Sequence, residues 1–183
     1  QGAQDRYYPL YDVMKKFVGL QTPIASFPVK HFLVPADTAN ISGFNITNAK
    51  DTVVPFINID IPEGKTYLTL DELTILNIIA ANNWKRPIYF TSPYGELGFG
   101  QYLRKDGLTY RLVPAKNSDN RGRWLNTNWV AEKLLNKFTS GGAELGKVYF
   151  DEENRRHLLS LRSLYAETAG DLADTVPVGD DEA

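Results

Sequence analysis

From Thr69 to Thr91 the chain leaves the backbone little choice: a helical pattern runs from Thr69-Leu70-Asp71-Glu72 to Asn83, and Trp84-Lys85-Arg86-Pro87-Ile88-Tyr89-Phe90-Thr91 follows with no linker. Thr69 and Glu72 have the Thr-x-x-Glu spacing of a capping box, in which each side chain satisfies an otherwise unpaired backbone N–H at the helix start. Leu70, Leu73, Leu76 and Ala80 recur on one face, while Ile75, Ile78 and Ile79 form a second. So little of the circumference is left for water that the helix is expected to lie inside the domain. Asn82-Asn83 tolerate the left-handed conformation that ends helices, and Pro87 drives Arg86 to extended geometry, so the helix should turn directly into a strand. No catalytic constellation accompanies the pattern.

The 183 residues suit one domain and suffice to bury a sizeable core. We read residues 1–174 as a single globular domain and 175–183 as an acidic, disordered tail. The 20 basic and 22 acidic side chains are interspersed, with a net charge of −2, which argues against a nucleic-acid or anionic-membrane footprint. Lys15-Lys16, Arg104-Lys105, Arg121/Arg123 and Arg155-Arg156 read as solvated surface. The lack of cysteine excludes disulfides, thiolate zinc sites and cysteine nucleophiles. Two histidines and scattered acids do not make a metal site, and nothing calls for a cofactor. No run approaches the roughly 20 apolar residues that cross a bilayer, and Gln1-Gly2-Ala3-Gln4-Asp5 is no signal peptide. A secreted or membrane-bound protein would therefore contain this chain as a fragment.

Around the central unit the pattern predicts a helix from Pro9 to Val18, with Tyr7, Tyr11, Met14 and Val18 on one stripe, Leu10 and Phe17 beside it, and Gly19 as its stop. Val29 to Val34 reads as a strand, residues 36–52 as a polar surface loop, and Val53 to Ile61 as a second strand. Glycines at 95, 98 and 100 match neither the dinucleotide fingerprint nor a P-loop, and read as a turn feeding a short helix from Phe99 to Lys105. Asp106-Gly107 turns the chain into a strand from Leu108 to Val113, closed by Pro114. Residues 115–124 form a charged loop. Asn126 or Thr127 caps a helix carrying Trp129, Val130, Leu134, Leu135 and Phe138, ended by Gly141-Gly142, and Val148 to Phe150 is a short extended piece. Asp151 caps the last helix, whose inner stripe is Leu158, Leu161, Leu164/Tyr165 and Ala169/Leu172. The fold class is α/β or α+β: a small mixed sheet from strands near 29–34, 54–61, 87–91 and 108–113, packed by three to four helices.

Paired carboxylates could serve a glycosidase, and Asp60, Glu96 and Asp106 lie near predicted strand ends, but we expect no catalytic role for them. His31, with no carboxylate near it in sequence, reads as structural. Tyr89, Tyr94, Phe99, Tyr102, Tyr110, Trp124 and Trp129 could stack on sugar rings, although most aromatics serve core and interface.

Asn82 to Phe90, Gln101-Tyr102-Leu103 with Asp106 to Pro114, Leu135-Asn136-Lys137-Phe138 and Val148 to Arg156 together resemble the C-terminal soluble region of a large Bacteroidetes membrane-protein family, long catalogued as a domain of unknown function and similar to protein O-mannosyltransferases. The resemblance covers about residues 7–170 and rests on the order of all four segments. It implies a parent with many transmembrane helices, similar to glycosyltransferases that use a lipid-linked sugar, with this part on the extracytoplasmic, periplasmic side. In such enzymes the catalytic acid sits among the membrane helices, so no catalytic residue carries over here. The partners implied are the transmembrane portion of the same polypeptide and an acceptor protein or glycan. Asp37-Thr38-Ala39, Asp51-Thr52-Val53 and Asp174-Thr175-Val176 resemble O-glycosylation acceptors of these bacteria, which makes Thr38 and Thr52 candidates.

The expected role is a non-catalytic accessory domain that positions an acceptor protein or glycan or braces the membrane part. A glycan would meet the loop 92–102 beside Trp84 and Arg86, with Tyr94, Glu96, Gln101 and Tyr102 as binding residues. The structural alternative for Trp84 and Arg86 is that they lock the helix–strand junction. The alternative function is a protein-interaction domain with no glycan role, with an independent glycoside hydrolase as a distant third.

Overall fold

The computed structural model describes residues 6–17, 29–37, 51–117, 124–147 and 149–175. Val18-Gly19, Thr38, most of the 36–52 loop, Arg121 and Arg123, Val148 and the tail from 176 fall outside the described residues.

Alternation builds the first sheet. Strand β2 (His31–Pro35) runs antiparallel to β4 (Phe56–Asp60), with Phe32 opposite Ile59 and Val34 opposite Ile57. All four side chains point into the core, while His31, Leu33, Asn58 and Asp60 take the other face. The short β1 (Tyr8–Pro9) adds to β2 in parallel. Helices α1 (Leu10–Phe17) and α2 (Leu70–Asn82) pack together and join the same core. In α1 the buried stripe is Leu10 and Met14; Tyr11, expected inside, is largely exposed.

Helix α2 starts as expected. Glu72 Oε2 accepts the Thr69 backbone N–H at 2.8 Å and the reciprocal half of the capping box is present. It is not an interior helix, however. Glu72, Leu76, Ile79 and Ala80 are buried, while Leu70 is 81% and Ile78 52% exposed. Its neighbours cover one side only, and a helix apolar all round gives no sign of which side that will be.

Two further sheets complete the body. β3 (Asp51–Val53) pairs antiparallel with β8 (Ala115–Asn117), so the expected loops 36–52 and 115–124 each contribute a strand. The third sheet has the order β5-β7-β6, from β5 (Tyr89–Phe90), β7 (Thr109–Leu112) and β6 (Leu103–Asp106). The short helix expected over Phe99–Lys105 is thus a single 3-10 turn, Gly100–Tyr102, running into a strand. β6 and β7 form a hairpin around Gly107, whose φ of +73° suits glycine, and both faces of β6 are covered, which hides its strand period. The mixed sheet is therefore divided into three small ones, and the architecture is α+β.

A second, smaller cluster follows. α3 (Thr127–Asn136) and α4 (Glu152–Ala173) pack Val130, Leu134 and Leu164 around Leu125. Asp151 caps α4 by accepting the Asn154 N–H at 2.8 Å. Of the expected inner stripe only Leu164 is fully buried, with Thr168 one turn further on; Leu158 and Leu161 are half-buried and Tyr165 exposed. Tyr149 and Phe150 lie in no strand.

Candidate functional site

The residues expected to bind a ligand are spread over the surface rather than gathered. At the end of α2, Asn83 (φ 42°) and Trp84 (φ 59°) are consecutive left-handed residues that reverse the chain. The Trp84 indole is buried and its Nε1–H donates to the Pro35 carbonyl at 2.7 Å. Trp84 therefore locks the helix–strand junction, and its ring presents no stacking face. Arg86 is exposed beside a crevice of about 10 Å³, room for one water at most. Tyr102 is fully buried, its hydroxyl accepting the Asn58 N–H at 3.1 Å, so it too is structural.

Tyr94 and Glu96 instead border a depression of about 480 Å³ at the start of α2, with Lys65, Thr69, Asp71 and Glu72. Tyr94 stacks against Phe90 and Phe99, with centroids 6.0 and 5.7 Å away. Burial pushes the Tyr94 hydroxyl pKa up, and the charges of Glu72, Glu96 and Asp71 add to this. Lys65 Nζ lies 2.5 Å from Glu72 Oε1, and that hydrogen bond raises the Lys65 pKa. Burial alone would raise the Glu72 pKa, but Lys65 and Thr69 together outweigh it and hold it low. The Thr69 hydroxyl lowers that of Asp71. These charges are engaged in starting the helix.

Gln101 reaches a different place: a polar and aromatic cleft of about 490 Å³. Its floor is one face of the third sheet, where the β6–β7 register sets Lys105 directly opposite Tyr110, next to Leu103. The segment Trp124–Asn126 runs along the outer edge of β6: Lys105 N–H donates to Trp124 O at 2.8 Å, and Asn126 N–H to Lys105 O at 3.1 Å. This sets the half-buried Trp124 at the rim. Pro93 and Gly100, from the loop 92–102, line one side, with Lys116 of β8. α4 supplies the opposite wall through Glu167 and Asp171, one helical turn apart. Glu167 Oε2 lies 2.5 Å from Lys105 Nζ, and Asp171 Oδ2 accepts from the Thr127 hydroxyl. Sequence reasoning named Tyr110, Trp124 and Gln101 separately and missed Lys105, Lys116, Glu167 and Asp171. The usable signal was Glu167 and Asp171 at i, i+4, flanking the stripe of Leu164 and Thr168.

The three acids near predicted strand ends do not share a site. Asp60 meets His31 across β2 and β4, Oδ1 to Nδ1 at 2.9 Å, with the Tyr7 ring edge-on to the imidazole at 5.5 Å. His31 thus has a carboxylate partner that a sequence separation of 29 conceals. Asp106 is buried and accepts from Arg104 Nε at 2.9 Å and Nη2 at 3.2 Å, with Arg111 Nη1 at 3.7 Å. Arg104, expected at the surface, is fully buried, and Arg111 stands over the Tyr89 ring at 5.7 Å. Among the described residues no group of three His, Asp or Glu side chains could hold a metal ion, and no helix is long and apolar enough to cross a membrane. Thr52 is exposed on β3.

Residues 8–133, more than half of the chain, match the family model described as TMEM260-associated domain 2. No curated protein and no solved structure matches.

Proposed function

The chain belongs to the TMEM260-associated domain 2 family, and from that premise we propose that it is a non-catalytic accessory domain of a TMEM260-like membrane protein of glycosyltransferase type, related to protein O-mannosyltransferases, whose task is to hold the acceptor. The observation that supports this reading is the cleft over β6 and β7, where Tyr110 and Trp124 stand among hydrogen-bonding side chains. Aromatic rings beside donors and acceptors suit a hydroxylated ligand, and the volume falls within the roughly 300–1,000 Å³ of small-molecule sites. Both carboxylates of the cleft are already engaged, Glu167 by Lys105 and Asp171 by Thr127, which suits binding better than proton transfer. The same proposal places the domain on the extracytoplasmic, periplasmic side in a bacterial parent and makes Thr38 and Thr52 acceptors of O-glycosylation.

Calorimetric titration with bacterial surface glycans and glycopeptides tests it, with Trp124→Ala and Tyr110→Ala as cleft variants and Trp84→Phe as a control away from the cleft. Saturable binding lost in the cleft variants and kept in the control is the expected result; absence of binding to every glycan refutes acceptor holding. A second reading, a domain that docks on or braces the membrane part, draws on the exposed Leu70 and Ile78 of α2. It predicts that Leu70→Glu with Ile78→Glu weakens association with the transmembrane portion while the isolated domain binds no glycan.

A further inference from the structure

Resting on acceptor holding in the cleft, we infer that its ligand is an uncharged pyranoside, and that α4 reads two of the sugar's hydroxyls through Glu167 and Asp171. The charges of the cleft carry the first part. Lys105 and Lys116 are balanced by Glu167 and Asp171, two against two. A lining with no net charge gives an ionic sugar of either sign no net attraction to offset the desolvation of its charge, so it discriminates against both. What remains favourable is a ligand with many hydroxyls and an apolar face. Tyr110 on the floor and Trp124 at the rim supply ring surface for that face.

The wall carries the second part. Glu167 and Asp171 lie one turn apart on α4, so their side chains sit side by side along the cleft. Each is held by one oxygen: Glu167 Oε2 by the Lys105 ammonium and Asp171 Oδ2 by the Thr127 hydroxyl. Among the described residues Glu167 Oε1 and Asp171 Oδ1 accept no hydrogen bond, and each can take a sugar O–H. Lys105 and Thr127 act as positioning residues, fixing the carboxylates before the ligand arrives. Two neighbouring acceptors with fixed orientation suit two neighbouring hydroxyls of one ring.

The test is a titration of the intact chain with matched neutral hexosides, hexuronates and hexose phosphates, repeated with Glu167→Gln and Asp171→Asn. Both substitutions keep size and an acceptor oxygen for the internal partner. Neutral hexosides should bind at least tenfold tighter than either acidic class. Each variant should weaken the neutral sugar about tenfold, the scale of a lost hydrogen bond to a charged acceptor. Glu167→Gln should also erode the discrimination against acidic sugars, because it leaves the cleft net positive; a merely structural residue would not change charge preference. Equal or tighter binding of acidic sugars overturns the inference, as does unchanged neutral-sugar affinity in both variants while Trp124→Ala abolishes binding, and that result leaves acceptor holding intact. Failure of every saccharide to bind overturns both.

Discussion

Glu72 gives the sharpest test of how this chain is built, because one buried carboxylate serves helix start and ion pair together. Glu72→Ala removes the acceptor of the Thr69 N–H at 2.8 Å and the partner of Lys65 at 2.5 Å. Loss of a cap costs about 1 kcal/mol, and a hydrogen bond to a charged, buried group about 1.5–3 kcal/mol. The Lys65 side chain is a quarter exposed, so its ammonium turns to water and adds little. The expected loss is about 2–3 kcal/mol, or roughly 5–10 °C in Tm for a chain of this size. Urea and thermal unfolding measure it, and Glu72→Gln, which keeps volume and an acceptor oxygen, should lose about half as much. The pH dependence has a definite sign. Folding holds the Glu72 pKa below its ordinary value of 4.5, so the unfolded chain binds the extra proton just below that pH. The contribution is complete above pH 4.5 and is lost as pH falls through the depressed folded value. The gap between the native chain and Glu72→Gln should therefore shrink in acid. A loss under about 0.5 kcal/mol in Glu72→Ala, the range of an ordinary surface change, would refute the reasoning. So would a gap that is the same at neutral and acid pH.

Three further outcomes follow from the same packing. Gly98 has φ +78°, and a Cβ there would stand 2.1 Å from the Asp60 carbonyl oxygen, so Gly98→Ala should cost about 3 kcal/mol or more, read as a lowered urea midpoint. Leu70→Ser should change stability by less than about 0.5 kcal/mol, whereas Leu76→Ala should cost about 2–5 kcal/mol by the same assay; equal losses would mean that both faces of α2 are covered. Trp84→Phe should cost about 1–3 kcal/mol through the stranded Pro35 carbonyl and leave ligand titrations at the cleft unchanged.

Local signals read well in this sequence, and long-range ones did not. The capping box of Thr69 and Glu72 and the Asp151 cap depend on residues three apart and the left-handed Asn83 on a single residue type, and all three were legible. The β6 strand was not, because Leu103 and Lys105 face the cleft side while Arg104 and Asp106 are buried on the other, so no polar face marks it out. Arg104 looked solvated because its carboxylate partner becomes visible only once Arg104 and Asp106 share one face of a strand. Pairing of His31 with Asp60 likewise required the β2–β4 register. Trp84 carried the right residue type for a ligand platform, but its positive φ turns the indole inward to Pro35, which no spacing rule reports.

The cleft was illegible for a deeper reason: it lies between the two hydrophobic clusters, lined by Leu103, Tyr110 and Trp124 of the main one and by Leu125 of the second. The main core collects the first and third sheets with α1 and α2, the second cluster collects α3 and α4, and the contact of Lys105 with Glu167 bridges between them, while Thr127 with Asp171 ties α3 to α4. Polar contacts leave room for a ligand where interdigitated side chains would close the gap. The two sides of the cleft also have different standing. Lys105, Tyr110 and Trp124 lie within the family-matched residues 8–133, whereas Glu167 and Asp171 lie beyond them on α4. Under the proposed function, the ring-stacking floor would belong to the family domain itself and hydroxyl selection to whichever helix follows. Family members with a different helix at that point should bind hydroxylated rings through the same floor and differ in which sugar they prefer, a contrast that swapping α4 between two such domains would measure.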